Sequence, residues 1–102
     1  MKYQKLVRDY IPEIIRRAGS EPVTSIADDA LYARKLREKL QEEVAEFLNS
    51  GKSEELADIL EVLYALAREQ GLSPEAVEEL RVQKGQQRGS FQNRIILEEV
   101  KG

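Results

Sequence analysis

The strongest constraint on the fold is a five-residue break, Asn49-Ser50-Gly51-Lys52-Ser53, between two segments whose apolar residues recur at helical spacing. Leu36, Leu40, Val44 and Phe47 mark one face before it, and Leu56, Leu60, Leu63 and Ala67 mark one after it. A link this short turns the second helix back antiparallel to the first. Both helices carry acids three residues apart near the break: Glu42-Glu43-Val44-Ala45-Glu46 before it and Glu55-Leu56-Ala57-Asp58 after it. Residues i and i+3 lie on one face of a helix, so two carboxylate pairs can converge in the groove of the hairpin.

Helical phase separates the acids from one another. At about 100° per residue and with Leu36 at zero, Glu43 falls at about −20°, inside the apolar stripe. Glu46 falls near about −80°, at its edge, and Glu42 near about −120°, on the polar side. With Leu56 at zero on the second helix, Glu55 lies near about −100°, between Leu66 and Val62, and Asp58 near about −160°. Glu43 and Glu46 are thus expected to point inward and Glu42 outward. A single Glu-x-x-Glu is usually a solvated face. A carboxylate in a core stripe is costly unless it is paired or coordinates a metal. A hard divalent cation with oxygen ligands, Mg²⁺ above all, answers that cost. Four carboxylates exceed what one Mg²⁺ ordinarily takes, so the pattern favours two or more ions, or one carboxylate acting as a base.

Composition narrows the chemistry further. The 102 residues contain no Cys and no His, which excludes disulfides, thiolate sites, His general bases and the Glu-x-x-His pairs of di-iron bundles. The chain has no Gly-x-x-x-x-Gly-Lys-Ser/Thr loop and no Gly-x-Gly-x-x-Gly turn. A formal net charge of −3 gives no general basic footprint for nucleic acid. Basic residues cluster locally instead: Lys2, Lys5 and Arg8, then Arg16 and Arg17, then Lys84, Arg88 and Arg94. No apolar run is long enough to span a membrane and no signal segment opens the chain, so the expected location is cytoplasmic.

In chain order, residues 1–8 read as a strand or an extended arm. Residues 11–18 read as a short helix capped by Asp9, with Pro12 in its first turn and Gly19 after it. Residues 20–27 are a connector with some β character at Val23-Thr24-Ser25-Ile26. Asp28 or Asp29 caps a helix over about residues 30–48, and Ser53 one over about 54–70, ended by Gly71. The second of these is apolar around most of its circumference from Ile59 to Ala67, as a helix buried on several sides would be. Ser73-Pro74-Glu75 starts a fourth helix, to about residue 84, with Val77, Leu80 and Val82 facing inward. Residues 94–100 read as a terminal strand, paired with an N-terminal strand or packed on a partner.

Glu-Glu-x-x-Glu followed by Glu-x-x-Asp resembles the signature of the MazG-like, all-α nucleoside triphosphate pyrophosphohydrolases. Lys5-Leu6-Val7-Arg8-Asp9 before Ile11-Pro12-Glu13-Ile14-Ile15 looks like the opening of a small single-domain branch of that superfamily, and Lys84-Gly85-Gln86-Gln87-Arg88-Gly89-Ser90-Phe91 like its closing segment. One departure is the link: eight residues separate Glu46 from Glu55, fewer than in better-known members. The resemblance implies an all-α, four-helix-bundle-like domain over residues 1–102, with short extended terminal segments. It implies hydrolysis of nucleoside triphosphates between the α- and β-phosphates, to a nucleoside monophosphate and pyrophosphate. Glu43, Glu46, Glu55 and Asp58 would bind Mg²⁺, with Glu43 and Glu46 catalytic. Lys84 and Arg88, then Lys5 and Arg8, would hold the substrate phosphates. Lys39 fits a phosphate contact or a plain i,i+4 ion pair with Glu43, and Tyr3, Tyr10, Tyr32, Tyr64 and Phe91 are the aromatics available to stack on a base. A homodimer or dimer of dimers fits the apolar second helix. Two other readings remain: a non-catalytic helical dimerisation or regulatory module, and a phosphoribosyl-ATP pyrophosphohydrolase.

Overall fold

The long helices start and stop where short polar side chains and glycine permit it. In the computed structural model, which describes residues 4–102, the helices in order are α1 (Ile11–Arg17), α2 (Asp29–Ser50), α3 (Ser53–Glu69) and α4 (Pro74–Arg88). There is no strand among the described residues, so the fold is all-α. Asp28 precedes α2 in an extended conformation, and its carboxylate accepts from the Leu31 amide at 2.8 Å. Ser73 does the same for α4, accepting from the Ala76 amide at 3.1 Å, with Pro74 in the first turn. Gly51 ends α2 at φ 67°, a left-handed conformation that glycine adopts without a Cβ clash, and its amide donates to the Phe47 carbonyl at 2.7 Å.

Two expected caps are not formed. Tyr10, not Asp9, occupies the cap position of α1, and no side chain caps that helix. Its entry is a backbone turn instead, with the Ile11 amide donating to the Arg8 carbonyl at 3.0 Å. Lys52 occupies the cap position of α3, so Ser53 is already helical. The tight turn gives the neighbouring Ser50 hydroxyl the local work, and the Lys52 amide donates to it at 3.2 Å.

The α2–α3 hairpin is the centre of the packing, and among the described helices α4 leans on α3 alone. Leu36, Val62 and Ala67 are the buried apolar residues among those described. The radius of gyration is 18.2 Å, against about 13 Å for a compact domain of this size. Much apolar surface is therefore bare. Leu56, Leu60 and Leu63 on α3 are half-exposed, and Leu48 at the end of α2 is 76% exposed. Burial of α3 on several sides is not realised among the described residues. Leu80 and Val82, expected to face inward, are also half-exposed, because α4 packs on one helix only among those described.

Residues 94–100 do not form the expected terminal strand. They follow a turn in which the Arg94 amide donates to the Phe91 carbonyl at 3.2 Å and Arg94 takes φ 59°. Ile95, Ile96, Leu97 and Val100 are exposed, and the described N-terminal arm offers no strand to pair with. Val23 and Ile26 in the connector are likewise exposed and outside regular structure. Met1, Lys2 and Tyr3, parts of the expected arm, basic cluster and aromatic set, lie outside the described residues.

Candidate metal centre

Two helices and the turn between them build the acidic site. Glu43 lies on the core side of α2, as its helical phase requires, and only 7% of it is exposed. Across the groove, α3 presents Glu55 and Asp58. Glu43, Glu55 and Asp58 each bring a carboxylate oxygen within 4.8 Å of the others, and Glu42, Glu43 and Glu46 form a second such group. Glu43 belongs to both, so it joins the acids of the two helices. The short link between the motifs therefore preserves their approach. The turn also orients one acid: the Ser50 hydroxyl donates to Glu55 Oε1 at 3.1 Å.

Two helical-phase expectations are corrected. Glu46 is exposed rather than inward, although it remains in the group. Glu42, expected to point outward, is half-buried and brings its carboxylate to Glu43 and Glu46. Side-chain length explains both: three methylene-linked bonds let a glutamate lean well away from the direction of its Cα–Cβ bond. Ser50 is a contributor that the acidic motif alone does not reveal. Its signal was a serine directly before the glycine that closes a helix, where side chains bond to neighbouring turn groups.

Cations already lean on the site. Lys5 Nζ lies 2.8 Å from Glu42 Oε1, and Arg8 Nη2 lies 2.8 Å from Asp58 Oδ1. These two contacts bring the N-terminal arm against α2 and α3. Lys39 Nζ lies 3.2 Å from Glu43 Oε1 and 3.7 Å from Glu42 Oε1, so it makes the i,i+4 pair that its spacing allows. Lys84 and Arg88 are one turn apart, because α4 continues through Gly85. Both are exposed, and no ion pair joins either to the acids among the described residues. Of the aromatic candidates, Tyr10 and Phe91 are exposed, while Tyr32 and Tyr64 are half-buried.

The proton equilibria record this crowding. Glu46 titrates above the ordinary glutamate value, first because its protonated form can hydrogen-bond to Glu43 and then because ionised Glu43 repels its charge, with smaller contributions from desolvation, Glu55 and Glu42. Glu42 is held below that value, chiefly by the hydrogen bond from Lys5, against slight desolvation and with help from Lys39. Glu43 Oε2 is buried with no hydrogen-bond partner among the described residues. A buried carboxylate oxygen without a donor, surrounded by other carboxylates, is the arrangement a hard divalent cation relieves. The donor set, all oxygen with no imidazole or thiolate, fits Mg²⁺.

The sequence pattern of the phosphoribosyl-ATP pyrophosphohydrolase family matches residues 7–84, more than half of the chain's 102. An uncharacterised protein of Mycolicibacterium smegmatis (strain ATCC 700084 / mc(2)155) is 52% identical over 42 residues, which cover 41% of this chain and 43% of that protein. The chain thus spans less than half the length of that relative. No solved structure matches the chain.

Proposed function

Because the chain belongs to the phosphoribosyl-ATP pyrophosphohydrolase family, within the MazG-like all-α superfamily, we propose that it is a Mg²⁺-dependent nucleotide pyrophosphohydrolase acting at the α–β phosphoanhydride. Its substrate in this reading is a nucleoside triphosphate, and its products are a nucleoside monophosphate and pyrophosphate. The observation that carries the reading is Glu43, a buried carboxylate with an unpartnered oxygen at the junction of two acid groups. Glu43, Glu46, Glu55 and Asp58 would hold the metal, with Glu42 close enough to join them. Bound Mg²⁺ would supply charge neutralisation on the phosphates and a water of lowered pKa.

The chain's own groups do the rest. Glu43 belongs to both acid groups and Glu46 adjoins it in one of them, and in a chain without histidine a carboxylate or a metal-bound hydroxide would take the proton of the attacking water. Glu46, already held above the ordinary glutamate value, is the better matched of the two for that transfer. Lys5 and Arg8, resting on Glu42 and Asp58 in this state, are placed to pass to substrate phosphates. Lys84 and Arg88 complete the phosphate contacts in this reading. The bare leucines of α3 and Leu48 are the surface a second copy would cover, giving a homodimer or dimer of dimers. Among the described residues no helix is long and apolar enough to cross a membrane; residues 1–102 would act as a single domain in the cytoplasm.

A second substrate, phosphoribosyl-ATP, is favoured by the matched family's description. Both carry the same scissile bond. The test is pyrophosphate release from a panel of nucleoside triphosphates and phosphoribosyl-ATP, with and without Mg²⁺. Preferred turnover of a triphosphate supports the first substrate, and turnover of phosphoribosyl-ATP alone supports the second. No turnover of any member overturns both and favours a helical interaction module.

A further inference from the structure

Beside the acid cluster a cleft of about 220 Å³ opens between the N-terminal arm and α2, lined by Lys5, Leu6, Lys35, Glu38, Lys39 and Glu42. Three lysines line one cleft, and two of them are unusually covered for their type: the Lys35 and Lys39 side chains are 18% and 22% exposed. Each ammonium leans on a carboxylate. Lys35 Nζ is 3.0 Å from Glu38 Oε2, while Lys39 and Lys5 lean on Glu42, and Lys39 also on Glu43.

Those carboxylates differ in their other duties. Glu42 and Glu43 belong to the acid cluster, so a divalent cation there competes with Lys5 and Lys39 for the same oxygens. Glu38 is outside that cluster, and its side chain is 52% exposed, so its pair with Lys35 is weak and easily exchanged. Filling the metal centre would draw Glu42 and Glu43 away from Lys5 and Lys39 and leave the three lysines of the cleft lining in excess over its remaining acid, Glu38. At about 30 Å³ of liquid volume per water, the cleft has room for a phosphate group with part of its hydration.

We infer that this cleft docks the pyrophosphate end of the substrate, with Lys35 as a phosphate-binding residue. Glu42 lines both the cleft and the acid cluster, so an anion in the cleft lies next to the ions. The more highly charged end of the polyphosphate then lies toward the lysines, and the nucleoside extends away from them. The inference rests on the acid cluster being the metal centre, and it adds Lys35, Lys39 and a direction for the substrate.

The experiment is calorimetric titration of the full chain, first with Mg²⁺ alone and then with inorganic pyrophosphate at saturating Mg²⁺. It compares the wild type with Lys35→Gln, Lys35→Arg and, as a remote charge control, Lys101→Gln. Loss of one charge-assisted contact weakens pyrophosphate binding about tenfold in Lys35→Gln. The Arg variant recovers most of that loss, Lys101→Gln matches the wild type, and all four bind Mg²⁺ alike. Equal pyrophosphate affinity in Lys35→Gln, or Mg²⁺ binding without pyrophosphate binding in the wild type, overturns the cleft and leaves the metal centre standing. Absence of Mg²⁺ binding in the wild type overturns the metal centre and the cleft with it. Melting curves of the variants exclude misfolding as the cause of any loss.

Discussion

Replacing Glu43 by methionine will stabilise the metal-free chain and abolish its response to Mg²⁺. Glu43 is 7% exposed, and its Oε2 has no hydrogen-bond partner among the described residues. An unsatisfied buried polar atom costs about 1–3 kcal/mol. Methionine is a good helix former of similar length and removes that cost. The substitution also loses the Lys39 pair at 3.2 Å, but Lys39 keeps Glu42 at 3.7 Å and stays partly in water. That loss is below about 1 kcal/mol. Relief of repulsion from Glu46, Glu55 and Asp58 acts in the same direction as removal of the orphaned oxygen. The net gain is on the order of 1 kcal/mol, which raises Tm by about 4–8 °C in a domain this small. Magnesium reverses the order. A ligand at a hundred times its Kd stabilises the native state by about 2.7 kcal/mol, and only the wild type collects it. Circular-dichroism melts in chelator and in excess Mg²⁺ check both signs. A variant less stable than the wild type in chelator refutes the view that the orphaned Glu43 oxygen weakens the metal-free fold. A variant whose Tm rises with Mg²⁺ as the wild type's does refutes its place in the metal centre.

Other perturbations test separate parts of the account. Because Glu46 titrates above its ordinary value, the native state holds that proton more tightly than the unfolded chain, so its ionisation weakens the fold as pH rises through that window. Glu46→Gln should therefore match the wild type in Tm at about pH 4 and exceed it at about pH 7 without metal; no change in the difference between those pH values refutes the coupling to Glu43. Asp28→Ala should cost about 1 kcal/mol by denaturant unfolding, whereas Ser53→Ala should be nearly neutral, since only Asp28 caps its helix; equal losses contradict the cap assignment. Leu36→Ala removes the most buried apolar side chain among the described residues and should cost about 2–5 kcal/mol in the same assay; a cost below about 1 kcal/mol refutes a core centred on α2 and α3.

The hairpin was legible because its signals are local. Apolar spacing, Asp28 before α2, Gly51 after it and Ser73-Pro74 before α4 each act through the nearest turn of backbone. The buried position of Glu43 was legible for the same reason, since a residue's phase on a helix follows from its number. What phase could not give was the path of a long side chain, and Glu42 and Glu46 exchanged their expected orientations for that reason. Residues 94–100 misled because β-branched composition describes a residue that suits a pleated surface, and no strand edge is present among the described residues. Leu80 and Val82 misled because an apolar position does not say whether its neighbour lies in the same chain. The Ser50–Glu55 bond and the lysine cleft depend on which turns and arms meet in space, beyond any spacing rule.

The most direct test of the central claim is steady-state pyrophosphate release from the best substrate as Mg²⁺ is varied, for the wild type and Glu43→Gln in parallel. If the acid cluster is the metal centre of a pyrophosphohydrolase, release by the wild type rises and saturates with Mg²⁺, and the variant loses at least about a hundredfold in kcat/KM. Release that does not depend on Mg²⁺, or a folded Glu43→Gln variant that turns over like the wild type, contradicts it.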